Sequence, residues 1–152
     1  LFVTGCSGGG ILTAWIVTKT DRFAAASSNC TIVDWMSTSG TTDILPYYRF
    51  PQLPWEDPTL WIAHSSIFHV GSVTTPTMLI TGEDDLRTPI TQAEQFYRAL
   101  KFRKVPTALL RYNNQSHGTG SRPSNFMRTQ LYLRQWFEKY GTTGDRMTDA
   151  GQ

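Results

Sequence analysis

The hydrophobic pattern of the chain alternates short apolar runs with longer stretches of helical period. The runs at 1–7, 73–81 and 107–112 are too short for helices and are bounded by Gly, Pro or polar residues, which predicts buried strands. Residues 23–30 are small, which favours a crowded central strand. The helical propensity of Ala24, Ala25 and Ala26 leaves open that they extend a helix instead.

Four further segments have the apolar spacing of helices. They cover residues 9–20, 58–65, 90–104 and 125–139, and Gly141 is predicted to end the last of them. Strands that alternate with helices predict a parallel sheet joined by right-handed crossovers. The chain is therefore assigned to the α/β class.

Two segments lack this regular pattern. Residues 31–58 interleave proline with tryptophan, tyrosine and phenylalanine over a length that is unusual for a loop in a compact domain. The aromatic residues are as consistent with a lid or binding loop as with a simple cover for the core. Residues 142–152 are polar and are predicted to be a frayed tail.

Composition limits the kinds of partner. The 152 residues are 39% hydrophobic, which is enough for one domain with a core. A formal charge of +2 without any Lys/Arg block argues against a nucleic-acid partner, and no apolar run approaches the roughly 20 residues of a membrane span. We predict no cofactor.

The chain has only two cysteines, Cys6 and Cys30, which form no disulfide framework and lack the spacing of metal ligands. Both are expected to be free and buried. If strands 1–7 and 23–30 are neighbours, the two thiols could lie close together, although no disulfide follows from that.

The first strand leads directly into the segment Gly5-Cys6-Ser7-Gly8-Gly9, which fits the nucleophile-elbow pattern G-x-S-x-G. In that pattern a serine lies on a strained turn between a strand and a helix, and glycines allow the close approach of the two elements. A phosphate-binding loop is disfavoured, because the closing Lys-Ser/Thr is missing and the spacing G-x-G-x-x-G is not met. An ordinary strand-to-helix turn remains the alternative.

Two later strands also end in residues suited to catalysis. The strand 73–81 leads to Glu83, Asp84 and Asp85, and the strand 107–112 leads to His117. Serine, acid and histidine in this order are typical of α/β-hydrolases, and parallel strands bring such residues to one edge of a sheet. His117 would then act as the base for Ser7, whereas the choice among the three acids stays open.

Several linked motifs within residues 1 to about 140 resemble those of the prolyl oligopeptidase family, in particular its acylaminoacyl-peptidase and dipeptidyl-peptidase branch. They are Gly5-Cys6-Ser7-Gly8-Gly9-Gly10, Thr20-Asp21-Arg22-Phe23-Ala24-Ala25-Ala26, Trp35, Gly40-Thr41-Thr42-Asp43-Ile44, Pro54-Trp55-Glu56-Asp57-Pro58, Gly82-Glu83-Asp84-Asp85-Leu86-Arg87-Thr88-Pro89 and Ser116-His117-Gly118.

The resemblance implies a serine peptidase in which residues 1–141 form part of an α/β-hydrolase catalytic domain. It implies that Asp85 is the catalytic acid and that Arg87 binds a backbone carbonyl of the substrate. The alternative for Arg87 is a structural ion pair with a neighbouring acid. The family usually has tyrosine where this chain has Gly8, whose backbone amide could still be an oxyanion donor.

The chain begins without Met and within a predicted strand. We therefore expect an upstream part that carries the earlier strands, the second oxyanion donor and, as is usual in the family, a β-propeller that limits access to short peptides. The chain alone is expected to be unstable or inactive. The predicted function is hydrolysis of peptide or acyl-peptide bonds. A carboxylesterase with the same three residues and a non-catalytic α/β-hydrolase remnant are the alternatives.

Overall fold

The computed structural model describes residues 1–44, 50–118 and 120–145. Within these residues, four strands and five α-helices alternate as the apolar pattern predicts, so the α/β class is confirmed. In chain order the elements are β1 (Phe2–Cys6), α1 (Gly8–Val17), β2 (Ala25–Asn29), α2 (Trp35–Thr38), α3 (Thr59–Ala63), a 3₁₀ helix (Ser66–Ser72), β3 (Thr77–Gly82), α4 (Ile90–Phe102), β4 (Thr107–Tyr112) and α5 (Pro123–Asp145).

The strands form one parallel sheet in the order β1-β2-β3-β4. Cys6 is opposite Asn29, and Gly82 is opposite Tyr112, so the carboxyl ends of the strands lie along one edge of the sheet. All five residues of β2 are buried, which explains why this strand consists of Ala, Ser and Asn only. The strand interpretation of residues 23–30 is therefore correct, and the helical alternative is wrong.

Helices cover both faces of the sheet, and the side chains of each strand alternate between them. On one face, Ala26 and Leu79 pack with residues of α1 and α4, among them the fully buried Phe96. On the other face, Met78 and Ile80 pack against Trp136 of α5. This burial of the strands on both sides accounts for their nearly continuous apolar sequences.

The aromatic-rich segment of residues 31–58, called the excursion from here on, contains more structure than its sequence suggested. Asp34 caps the short helix α2 by accepting hydrogen bonds from the backbone N–H groups of Met36 and Ser37. Trp35 and Trp61 form a small separate core with Ile32 and Phe50. Helix α2 and the 3₁₀ helix were not predicted. Residues 45–49 of the excursion lie outside the described residues.

The predicted end of the last helix is wrong, because α5 continues through Gly141 to Asp145. A Cβ atom at Gly141 would lie 2.7 Å from the ring of Phe2, and Phe2 also stacks on Phe137 with ring centroids 4.6 Å apart. Gly141 thus allows α5 to approach β1 rather than ending the helix. Residues 146–152 of the predicted frayed tail lie outside the described residues.

The edges of the sheet differ in charge. Within the described ranges β1 pairs only with β2, and β4 pairs only with β3. Strand β4 carries Arg111, which forms ion pairs with Glu83 at 2.9 Å and Glu94 at 3.0 Å, whereas β1 has no charged side chain.

None of the helices described is both long and apolar enough to cross a bilayer.

Candidate active site

Ser7 lies in the turn between β1 and α1 with φ 58° and ψ −121°. A side chain rarely adopts a positive φ, so this backbone needs support from its surroundings. The Ser7 N–H donates to the carbonyl of Asn29 at 3.0 Å, and the Ser7 carbonyl accepts from the N–H of Ile11 at 2.9 Å. The turn is thus fixed on one side by β2 and on the other by the first turn of α1.

The glycines of the motif have distinct reasons to be glycine. A Cβ atom at Gly5 would lie 2.6 Å from the backbone of Gly9, and one at Gly10 would overlap the carbonyl of Asn29. Gly8 and Gly9 have no other atom within 4 Å of such a Cβ. Gly5 and Gly10 therefore permit the packing of the turn. Gly8, the first residue of α1, has room for a side chain.

Asp85 is the acid that contacts His117. The two carboxylate oxygens of Asp85 lie 2.9 and 3.1 Å from His117 Nδ1, and the Asp85 residue is only 2% exposed. Glu83 instead pairs with Arg111, and Asp84 is exposed. Of the three acids, Asp85 is thus the one in contact with His117, and its catalytic role stays a prediction.

The Asp85 carboxylate is fully hydrogen-bonded. It accepts from the backbone N–H groups of Arg87 and Thr88, both at 2.9 Å, and from the Thr88 hydroxyl at 2.7 Å. An ionised carboxylate only accepts, so the hydrogen bond with His117 assigns the proton to Nδ1 and leaves Nε2 as an acceptor. This is the tautomer that a general base needs.

Gln115 organises the loop that carries His117, and its role was not predicted. This buried side chain donates from Nε2 to the Gly118 carbonyl at 2.7 Å and accepts from Asn125 of α5 at 2.9 Å. A polar run after a strand gives no signal for such a contact, because the partners come together only in the folded chain.

The Arg87 guanidinium forms a bidentate ion pair with Asp43. Its Nε lies 2.6 Å from Oδ1, and its Nη2 lies 3.3 Å from Oδ2. The hydrogen bond and the positive charge of Arg87 lower the pKa of Asp43 below its usual value. The structural ion pair considered for Arg87 is thus present, while the binding of a substrate carbonyl stays a prediction.

Cys6 and Cys30 lie near Asp85 and His117. Their strands are neighbours, as expected, but only Cys30 is buried, so the expected burial of Cys6 is wrong. The hydrogen bond from Cys30 lowers the pKa of Cys6 to about 7 against the opposing effect of burial, and the charge of His117, when that ring is protonated, adds to the lowering. The same hydrogen bond, together with burial, raises the pKa of Cys30.

An apolar cavity of about 330 Å³ begins one helical turn beyond Ser7. Its lining includes Ile11, Trp15, Ile32, Trp35, Phe50 and His64. The aromatic residues of the excursion thus form both a small core and one wall of a cavity. His64 stacks on Trp15 and His69 contacts the same ring edge-on, and neither histidine contacts an acid in the part of the chain that the structure describes.

The chain is similar to peptidases over nearly its whole length. It is 37% identical over 145 residues to the uncharacterized peptidase YuxL of Bacillus subtilis (strain 168), covering 92% of this chain and 22% of that protein. It is 33% identical over 149 residues to an acylamino-acid-releasing enzyme of Arabidopsis thaliana, covering 91% of this chain and 19% of that enzyme. The chain thus spans about a fifth of the length of these relatives.

The fold has solved counterparts. The Pyrococcus horikoshii acylaminoacyl peptidase superposes with a TM-score of 0.82 at 26% identity, over 91% of this chain and 24% of that one. Such neighbours identify the parallel sheet with its helices as part of an α/β-hydrolase fold. The model of the Prolyl oligopeptidase family matches residues 1–143. This chain therefore belongs to the prolyl oligopeptidase family.

Proposed function

We propose that this chain carries the catalytic residues of a serine peptidase that cleaves peptide or acyl-peptide bonds through an acyl-enzyme. Ser7 is the nucleophile, His117 the general base and Asp85 the acid. The observation that carries the proposal is the contact of 2.9 Å between the buried Asp85 and His117 Nδ1, at the same sheet edge as the strained turn of Ser7. Membership of the prolyl oligopeptidase family supports it.

The proton transfers follow from the histidine tautomer. With Nδ1–H held by Asp85, His117 Nε2 accepts the hydroxyl proton of Ser7 as the serine oxygen attacks the substrate carbonyl. His117 then gives the proton to the departing nitrogen. Water repeats the sequence on the acyl-enzyme, which releases the acid and restores Ser7. The buried Asp85 stabilises the imidazolium that forms in both steps.

The oxyanion of each tetrahedral intermediate forms at the start of α1. The N–H of Gly8 is one donor, and the positive end of the helix dipole adds to its effect. We propose that the second donor comes from an upstream part of a longer polypeptide, together with the earlier strands and a β-propeller. Each such donor contributes about 10² to 10³ in kcat, so the chain alone is expected to be inactive.

The apolar cavity supports a substrate with a hydrophobic or aromatic side chain. Trp35, Phe50 and Trp15 form its aromatic wall, and such walls favour apolar groups over charged ones. The names of the Arabidopsis and Pyrococcus proteins support an acylated amino terminus as the substrate class. We therefore propose short acyl-peptides as substrates.

The test uses the complete protein, with any residues that flank this chain, and a fluorophosphonate probe that labels activated serines. We expect labelling that is lost in Ser7→Ala, with kcat on an acyl-peptide lowered by about 10⁶-fold. Asp85→Asn, which disturbs the histidine tautomer, should lower kcat by about 10⁴-fold. Glu83→Gln, in the same loop but paired with Arg111, should retain the wild-type kcat.

Each alternative function gives a different result. Hydrolysis of esters without hydrolysis of peptides or acyl-peptides would indicate a carboxylesterase. A folded complete protein that takes up no probe would indicate a non-catalytic module. Labelling that persists in Ser7→Ala would refute the assignment of the nucleophile.

A further inference from the structure

We infer that Cys6, Cys30, Asp85 and His117 form an inhibitory binding site for a thiophilic divalent cation such as Zn²⁺. The four residues combine two sulfurs, an imidazole and a carboxylate, which are the ligand types of zinc sites rather than of magnesium or calcium sites. The inhibition rests on the proposed function of Asp85 and His117, whereas the binding does not.

Three of the four ligands are already close together. The Cys30 sulfur, an oxygen of Asp85 and a ring nitrogen of His117 all lie within 4.8 Å of one another. Bonds of about 2.0 to 2.3 Å to a tetrahedral Zn²⁺ place ligand atoms roughly 3.3 to 3.8 Å apart. Shifts of about an ångström would therefore bring these atoms into the coordination sphere.

Cys6 is the fourth ligand. Cys6 lies opposite Asn29 in the neighbouring strand, which places it next to Cys30 but outside the group of three ligand atoms. Cys6 is exposed, whereas Cys30 and Asp85 are buried, so it provides the side from which a cation enters. With Cys6 the site has the four ligands that Zn²⁺ prefers.

The sheet topology explains why these four residues lie close together and why no sequence motif indicates them. Cys6 ends β1, Cys30 follows β2, Asp85 follows β3 and His117 follows β4, so each strand supplies one ligand at the same sheet edge. Cys30 has a φ of 46°, which turns the chain at the end of β2. Ligands separated by 24, 55 and 32 residues (30 − 6, 85 − 30, 117 − 85) cannot be recognised by a short spacing motif.

Binding of the cation would disable the proposed catalysis. Coordination of Asp85 removes the acceptor that fixes the histidine tautomer, and coordination of either ring nitrogen of His117 prevents that nitrogen from donating or accepting the serine proton. The thiols lose their protons as they bind the cation, as is general for thiolate ligands. Hydrolysis should therefore stop at saturation and return when a chelator removes the cation.

The test measures binding and inhibition separately in the complete protein. One equivalent of Cd²⁺, a spectroscopic substitute for Zn²⁺, should produce an ultraviolet thiolate-to-cadmium charge-transfer band. The band should persist in Ser7→Ala and be weakened in Cys6→Ser and Cys30→Ser. In the activity assay, each cysteine variant should need at least about tenfold more free Zn²⁺ for half-inhibition relative to its own metal-free rate.

The matched control is His69→Ala, which removes a histidine that belongs neither to the ligand group nor to the cavity lining and should leave Zn²⁺ inhibition unchanged. Absence of the charge-transfer band in the folded wild-type protein would overturn the site, as would inhibition that is equal in wild type and Cys30→Ser. Because the band needs no turnover, an inactive protein that still shows it would refute the proposed function and leave the cation site standing.

Discussion

Ser7 keeps a backbone conformation that few side chains adopt, and the adjacent backbone of β2 makes this possible. The Asn29 carbonyl accepts the N–H of Ser7 and also faces Gly10 so closely that a Cβ atom there would overlap it. One carbonyl thus sets both the position of Ser7 and the approach of α1 to the sheet. A change at Gly10 should therefore affect both stability and the site.

Gly10→Ala is expected to lower the free energy of unfolding by about 3 kcal/mol, because the new methyl group forces α1 away from β2. Gly9→Ala is the matched control. A Cβ at Gly9 meets no other atom within 4 Å, and alanine favours the helix by up to about 1 kcal/mol. Chemical denaturation of both variants checks this, and equal losses of stability would contradict it.

Arg87 has two possible roles, which one pair of variants separates. If Arg87 binds a substrate carbonyl, Arg87→Ala should raise KM for peptides by about tenfold, the loss of a charge-assisted hydrogen bond. Asp43→Asn removes the ion-pair partner but keeps the arginine, so KM should stay near the wild-type value. Steady-state kinetics decide, and a KM unchanged by Arg87→Ala would refute the binding of a substrate carbonyl by Arg87.

At the scale of elements, one buried side chain ties α4 to the loop after β2. Gln92 accepts from the backbone N–H groups of Val33 and Asp34 at 3.1 and 2.9 Å, and it donates to Ser37 at 2.9 Å. Since Asp34 caps α2, Gln92 also fixes the start of that helix.

Gln92→Ala should therefore lower the free energy of unfolding by about 3 kcal/mol, because it leaves the buried N–H of Val33 and the partly buried N–H of Asp34 without an acceptor. Gln95→Ala, on the same helix but partly exposed, should change it by less than about 0.5 kcal/mol. Thermal unfolding of the two variants is the measurement. A similar loss for both would show that the hydrogen bonds of Gln92 contribute little.

The sequence predicts correctly those elements in which the apolar pattern extends over many residues or has sharp boundaries. Strand β4 has the predicted limits Thr107–Tyr112, and α4 begins at the predicted Ile90. Helix α2 escaped prediction because four residues are too few for a period, and its stability depends on the cap and on Gln92. The predicted end of α5 was wrong because the glycine at position 141 allows close packing against Phe2 and does not end the helix.

The candidate site was predictable only in part. Ser7, Asp85 and His117 each follow a strand in a recognisable motif, so their order along the chain indicated one shared edge. The roles of Gln115 and Cys30 depend on contacts between loops of different strands. Such contacts leave no periodic or local signal in the sequence.

For the molecule as a whole, the two sheet edges should differ in their tendency to associate. Uncharged edge strands pair readily with other chains, and charges oppose this. Within the described residues β1 has a free edge without charge, whereas β4 carries Arg111. Several apolar side chains of α5 are also exposed, including Met127 and Leu131.

We therefore expect the isolated 152-residue chain to self-associate through β1. Thr4→Lys should increase the monomer fraction, because it places a charge on that strand. Thr107→Lys on β4 is the matched control: each threonine donates to a carbonyl of the neighbouring strand, and this change should have little effect. Sedimentation velocity over a range of concentrations tests this, and equal effects of both variants would contradict it.

The position of β1 at the edge also determines how the site could be observed without any substrate. Because the Ser7 N–H bonds to β2 and hydrogen bonds alternate along a strand, the amides of Phe2, Thr4 and Cys6 point away from β2. These amides should exchange rapidly with deuterated solvent. Any segment or ligand that pairs with β1 would slow the exchange of these amides and would also restrict the motion of Ser7. The three exchange rates would therefore report on how firmly the backbone of Ser7 is held.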